Sequence, residues 1–445
     1  MDDRPLSRRA KALYASSSIG SEALVQSRST WLLYYYAPPA SANMRSLLPV
    51  GVAGVILFVD GLTGAFYNPV VGHWTDRTRS RLGRRIPWVL AFTPPWALFA
   101  LLVFTPPQNA GTAAIAAYLF LTLELYALFS TLSGGPFQAL LPEIARTSAE
   151  RLSLVGYRVY AGAVGGGAGL VLSGLLVDHV GFRWMAFVMA ALALVTRYIG
   201  TLGVWHRASR TAAPAAIPFR RAVSTTFRNA QFLVFVPSVV LFQVGVQMIL
   251  GVLPYYVKAV LHTSHTGTWV AVLTGIAIVS MLVSVPLAAR LARRTSKRHA
   301  YRVAMLGAAA VFPLLALAGA GTRVPAWAQL ALVMAIAGPP LSGVYLFPDA
   351  LTADIIDEEH TRIGMRREAM YYGAGSFVQQ AGGSLGPFLL AGLLILGDTS
   401  AHQAGLRLVG PVAGLLVLVA YVIFRRYELP DDVEAAPAVG SAAPT

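Results

Sequence analysis

Along the 445-residue chain, apolar runs of about 20 residues recur from end to end, separated by short polar stretches. Each run is long enough to cross a bilayer as a helix. Twelve such segments are predicted, at about residues 13–36, 47–72, 87–105, 113–141, 152–177, 184–205, 230–257, 268–290, 301–320, 325–348, 369–396 and 405–425. One long polar connection, containing "RTAAPAAIPFRR", divides them six and six, the mark of two pseudo-symmetric halves. The expected organisation is an amino-terminal six-helix bundle over 1–205, a cytoplasmic linker over 206–229 and a carboxy-terminal six-helix bundle over 230–426. A Pro/Ala-rich tail over 427–445 is expected to be disordered. The second half echoes the first weakly, with "PVVGHWTDR" ending the second segment and "PLAARLARR" the eighth. The fold class is an all-α polytopic membrane protein.

Composition agrees. The chain is 56% hydrophobic and 12% charged, against about 25% charged in soluble domains. The first run is not a signal peptide, because no small-residue cleavage site follows it and many more runs do. The net charge of +15 would suggest nucleic acid in a soluble protein, but its distribution has another cause. Of the 35 basic residues 32 are Arg, and they gather in alternate loops. One side holds Arg8 and Arg9, "DRTRSRLGRR", Arg207 to Arg228, "RLARRTSKRH", "RIGMRRE", Arg425 and Arg426. The other holds little beyond Arg45, Arg183, Lys258, Arg323 and Arg407. By the positive-inside rule both termini and the linker are cytoplasmic, in an inner (plasma) membrane.

The chain has no cysteine, which excludes disulfides, thiolate metal sites and cysteine catalysis. "HTSH" (His262 to His265) lacks a third metal ligand. "GAVGGGAGL" follows no strand, so its small residues read as close helix packing rather than a nucleotide loop. No nucleophile–base set appears. Neither enzyme activity, a cofactor, a metal nor a nucleic-acid partner is expected; the partners expected are a small-molecule substrate, protons and the lipid bilayer, with the chain monomeric.

With six helices plus six and Gly72, Asp76, Arg77, Gly83, Arg84 and Arg85 after the second, the sequence resembles the major facilitator superfamily. "NPVVGHWTDRTRSRLGRRIPWVL", "GGPFQALLPEIARTSAERLSLVGYR" and "TADIIDEEHTRIGMRREAMYYGAGSFVQQAGGSLG" resemble one branch, the glycoside–pentoside–hexuronide:cation symporters typified by the melibiose permease. The resemblance implies the major facilitator fold of two pseudo-symmetric six-helix halves with twelve transmembrane helices. It does not give the substrate.

An ionisable group inside a membrane helix costs about 2.5–3.5 kcal/mol on insertion scales and needs a reason. Glu22, Asp60, Glu124 and Arg158 stand out. The resemblance makes Glu22 a hydrogen-bond acceptor for sugar hydroxyls, with Gln26 one turn along on the same face. A structural pair of Glu22 with Arg158 or Arg28 is the plainer reading. Arg158, in "LVGYR", matches the family arginine that helps hold the sugar, or else clamps helix ends together. Where sugar-carrying relatives place an acid two residues before "PF" and an aromatic directly after, this chain has Gly134 and Gln138. Glu124, about three turns away, is a proton site or a carboxylic acid kept neutral by burial.

Sodium-coupled relatives carry D-x-x-x-D directly before the second-helix proline. Counting back from Pro69, those positions are Asn68 and Gly64, and Asp60 lies one turn further on the same face. Asp60 and Asn68 are about 12 Å apart along the helix and cannot share one small cation. Asp60 is therefore read as a proton carrier, against the plainer reading of a helix-packing hydrogen bond. The family's lysine on the eleventh helix corresponds to Gln380 or Ala381, so the cation machinery reads as removed as a set. Gln243, Gln247, Gln379 and Gln380 leave a polar, uncharged carboxy-terminal lining. Tyr255, Tyr256, Tyr371 and Tyr372 add stacking surfaces or interface anchors. Asp76, Arg77, Arg84, Arg85, Arg151, Asp354 and Asp357 are expected to latch the cytoplasmic gate, the acids of 354–358 facing Arg146, Arg151, Arg366 and Arg367; solvated loop charges are the plainer reading.

The function expected is a secondary transporter working by alternating access on a sugar- or glycoside-like solute, proton-coupled and not sodium-coupled. The alternatives are an amphipathic lipid or hydrophobic metabolite, exported or passed without coupling, and a non-transporting membrane assembly factor.

Overall fold

The computed structural model describes residues 6–76, 78, 80, 82–145, 147–207, 229–319, 323–363, 368–399 and 402–429. Among them the chain is helical throughout, and each helix begins where the sequence supplies a cap or a break. Ser7 Oγ accepts from Ala10 N at the start of α1 (Arg8–Tyr36). α2 (Val50–Asp76) leads into a turn where Gly83 takes φ +92°, a left-handed conformation that favours glycine. α3 (Ile86–Leu102) has a proline in its first turn, and α4 (Thr112–Ala139) ends beside the four-residue α5 (Leu141–Ile144).

Thr147 caps α6 (Ser148–Leu202), which is two rods. They meet at Gly181, whose φ of 82° and ψ of 170° no helix permits. Asn229 caps α7 (Ala230–Leu261) by accepting from Gln231 N and Phe232 N. α8 (Thr266–Arg294), α9 (Lys297–Val311, continued by a 3-10 turn at Phe312–Leu317), α10 (Ala326–Ile363), α11 (Glu368–Gly383), α12 (Leu385–Leu394) and α13 (Ala404–Phe424) complete the chain. With α6 divided at Gly181 and α11 and α12 taken as one rod, these helices follow the twelve expected segments in order. Eight helical segments are long and apolar enough to cross a membrane by length and composition.

α1, α2, α3, α4 and α6 pack on one another, and so do α7, α8, α9, α10 and α13. Three seams join the two groups: α1 on α7, α6 on α8, and α2 on α11 and α12. Close approach within the first group uses glycine. A methyl on Gly165 of α6 would lie 2.2 Å from Ile19 O, and one on Gly169 would lie 2.4 Å from Ala23 Cα, so α6 lies directly on the α1 backbone. The small-residue run in α6 is a packing face.

The seams tighten toward the end of the molecule opposite the arginine-rich loops. There Tyr255 donates its hydroxyl to Ala37 O at 2.9 Å. Asp178 of α6 accepts from Gly267 N at 2.8 Å and Thr268 N at 2.6 Å, capping α8 from the other half. At the arginine-rich end the ion pairs described join elements of one half, as in Arg84 with Glu143 and Lys297 with Asp354.

Candidate functional site

Two clusters of charge lie in the amino-terminal half at mid-helix depth. The first joins α1, α2 and α4. Arg28 Nη1 reaches Asp60 Oδ2 at 3.4 Å, and its guanidinium stacks over the Tyr126 ring at 4.6 Å. Asp60 is only 6% exposed, and its Oδ1 has no hydrogen-bond partner. Glu124 lies near enough to act on Asp60 electrostatically. Its Oε1 accepts from Thr63 at 2.6 Å and its Oε2 from Tyr67 at 2.5 Å. Thr63 and Tyr67 share a face of α2 one turn apart, so the helix repeat aims both hydroxyls at one carboxylate. Arg28 therefore belongs to Asp60 and not to Glu22, and Glu124 stands beside Asp60. The cluster holds two carboxylates and one guanidinium.

The second cluster lies nearer the arginine-rich end, between α1, α4 and α6. Glu22 is exposed and sits in the field of Arg158. Gly162 and Gly166 of α6 face Glu22 and Gln26 without side chains; a methyl on Gly162 would lie 3.4 Å from Glu22 Cγ. Across the interface, Tyr345 of α10 faces Gln26 and Glu22 and is 57% exposed, although it stands between the halves. Arg197, buried on the second rod of α6, donates from Nη2 to Ser21 Oγ at 2.9 Å. Its guanidinium rests on Trp96 at 5.0 Å and Phe137 at 4.9 Å.

The α2–α11/α12 seam carries the third feature. Asn68 Nδ2 donates to Gln380 Oε1 at 3.0 Å, and a methyl on Gly64 would meet Gln380 Nε2 at 3.0 Å. Asn68 and Gly64 of α2 thus both meet Gln380 of α11. Here the seam is held by a neutral hydrogen bond, flanked by Phe66 against Phe377 and Phe58 against Phe388.

The other expected residues divide as follows. Gln138 is exposed at the end of α4, and Gln243 and Gln247 are half-buried on α7, Gln247 where Gly386 of α12 crosses it. Tyr255, Tyr256 and Tyr371 are fully buried, Tyr371 accepting from Asn229 at 3.0 Å; they are packing residues, not stacking surfaces for a solute. The carboxy-terminal lining is not free of charge: exposed Asp349 stands one turn beyond Tyr345 on α10. Asp76 ends α2. Its side chain and that of Tyr372 lie outside the described residues, as do Arg77, Arg146, Arg366, Arg367, the linker from 208 to 228 and the tail from 430.

Of the expected gate residues, Arg84 Nε and Arg85 Nη1 both approach Glu143 Oε1, at 3.0 and 3.1 Å. Arg151 Nε donates to Ala145 O at 3.1 Å. Lys297 bonds both oxygens of Asp354, at 2.6 and 2.7 Å, and Asp357 O accepts from Thr361. Sequence reasoning missed Glu143, Arg197, Tyr345 and Asp349. Arg197 carried the plainest signal, a lone arginine in the apolar run "ALVTRYIG".

Comparison with known proteins completes the picture. The profile of the family described as "MFS/sugar transport protein" matches residues 13–431. The isoprimeverose transporter of Lactiplantibacillus pentosus is 24% identical over 84% of this chain and 78% of its own length. The mouse sodium-dependent lysophosphatidylcholine symporter 1 is 34% identical, over 28% of this chain and 24% of its own. The crystal structure of the nucleoside transporter NupG superposes with a TM-score of 0.64 at 15% identity, covering 94% of this chain and 100% of that one, a likeness of fold.

Proposed function

Because the chain belongs to the glycoside–pentoside–hexuronide:cation symporters of the major facilitator superfamily, we propose that it moves a sugar- or glycoside-like solute by alternating access, driven by protons and not by sodium. The chain is an integral membrane transporter of small organic solutes, and its relatives are transporters, not enzymes. The single observation that carries the finer reading is the contrast within α2. At Gly64 and Asn68 the helix makes a neutral contact with Gln380, which offers no carboxylate to a cation. Two turns from Asn68, Asp60 pairs with Arg28 and has the Glu124 carboxylate beside it.

The excess negative charge of that cluster suits one proton, and Asp60 is assigned as its carrier. Both oxygens of Glu124 already accept hydrogen bonds, whereas Asp60 Oδ1 accepts none. A protonated Asp60 no longer forms an ion pair with Arg28, so protonation loosens α1 from α2, the kind of two-state contact that alternating access requires. Solute binds between the halves, where Glu22 and Gln26 face Tyr345 and where Glu22 and Arg158 supply acceptor and donor groups to hydroxyls. Arg84, Arg85, Arg151, Asp354 and Asp357 act at the arginine-rich gate, with both termini on the cytoplasmic side.

A second reading, an amphipathic solute such as a lysolipid, rests on the local identity to the lysophosphatidylcholine symporter. One experiment addresses both. Purified protein in liposomes is given glucose, isoprimeverose or lysophosphatidylcholine under an imposed pH gradient or an imposed sodium gradient. Accumulation of a sugar under the pH gradient alone is expected, with Asp60→Asn abolishing accumulation while exchange survives. Accumulation driven only by sodium overturns the coupling assignment, and lysolipid flux without sugar flux favours the second reading.

A further inference from the structure

Arg197 is a buried cation whose charge the chain leaves unmatched. It is 6% exposed, and among the described residues no carboxylate lies within ion-pair distance of it. Its one hydrogen bond goes to Ser21 Oγ, a neutral hydroxyl whose own proton is committed to Ser17 O at 2.8 Å. Its Nε has no partner, and neither does Nε of Arg158, the nearby cation that acts on it. The cluster thus carries two guanidiniums against the single carboxylate of Glu22. A buried charge without a counter-charge is costly, and two of them side by side more so.

Next to this guanidinium the wall of α4 has no side chains. A methyl on Gly134 would lie 3.6 Å from Arg197 Nη1 and 4.0 Å from Nη2, at ordinary contact distance and without a clash. At half-buried Gly135 an added methyl would meet nothing within 4 Å. On the α1 side stands half-buried Ser21, whose sequence neighbour Glu22 is exposed. The guanidinium therefore has the side-chain-free Gly134 of α4 on one side and Ser21 of α1 on another.

We propose that Arg197, backed by Arg158, forms an oxyanion subsite: the transported solute carries one carboxylate or phosphate group, which enters over Gly134 and Gly135. This rests on the transporter reading above and narrows its substrate to a hydroxylated solute with one oxyanion. The fork of Arg197 meets the two oxygens, and exposed Glu22 accepts from hydroxyls on the same molecule. The carboxylate or phosphate belongs either to a water-soluble sugar derivative or to a lipid head group, and the test separates these.

Purified full-length protein is followed by thermal shift with four probes: glucose, glucuronate, glucose 6-phosphate and lysophosphatidylglycerol. Wild type is expected to be stabilised by at least one anionic probe and not by glucose; the soluble anions or the lysolipid then identify the source. Gly134→Asp places a carboxylate against Arg197 without removing the buried arginine. It is expected to keep the ligand-free Tm while weakening the anionic probe about tenfold or more. Arg197→Lys keeps the charge but loses the fork and is expected to weaken the same probe. An unchanged Kd for the anion in Gly134→Asp overturns the proposal. Stabilisation by glucose alone overturns the oxyanion subsite while leaving the sugar-transport reading intact, and stabilisation by none of the four counts against both.

Discussion

Asp60 and Arg28 show how a charge survives in an apolar helix. Neither residue is tolerable alone at this depth, and each is made so by the other and by the Tyr126 face beneath the guanidinium. Removing one partner leaves the other buried and uncompensated. Arg28→Gln is thus expected to destabilise the protein by about 3 kcal/mol, and the double change Arg28→Gln with Asp60→Asn to recover most of that loss. Thermal unfolding of the four proteins in detergent checks this; equal and additive losses would show that the pair is incidental. The sequence exposed both residues but not their partnership. Arg28 was weighed against Glu22 because both lie on α1, whereas the fold brings Asp60 from the next helix. Arg197 shows in the sequence only as a single arginine in an apolar run, which says nothing of the glycine wall and aromatic faces that surround it.

At the scale of helices, the hydrophobic pattern was the legible part. The apolar runs fold as helices, and the break between the fifth and sixth falls at Gly181, inside the gap left between segments 152–177 and 184–205. Pairing between helices was less legible, because it depends on where backbones approach. The glycines of "GAVGGGAGL" were read as a packing face, and α6 does lie directly on α1 through Gly165 and Gly169. Gly165→Val is expected to cost about 2 kcal/mol or more, since the Ile19 backbone has no room to yield, while Gly166→Ala, 3.6 Å from the flexible Gln26 side chain, is expected to fold normally. Yields and unfolding temperatures of the two variants distinguish them. Equal behaviour would mean that the α1–α6 crossing is not tightly packed. The seam of α2 against α11 and α12 was legible only as a set of losses. The structure adds that Asn68 donates a hydrogen bond to Gln380 across this seam.

For the whole molecule, charge is arranged in two imbalances within one half. The Arg28 cluster has one carboxylate too many, and the Arg197 cluster one guanidinium too many. On the proposed reading, a proton at the first and a singly charged oxyanion at the second would leave both clusters neutral, which lowers the electrostatic cost of holding them within the membrane. The halves meet tightly at the end where Asp178 caps α8 and Tyr255 reaches Ala37, while the ion pairs described at the arginine-rich end stay within each half. The central claim is that a family cation helix has been rebuilt with a neutral contact where the cation would bind. Sodium titration of the purified protein, with choline chloride holding ionic strength constant, tests it without knowledge of the solute. No saturable heat and no shift in Tm are predicted for wild type. Saturable, sodium-specific stabilisation that Asn68→Ala abolishes would contradict it.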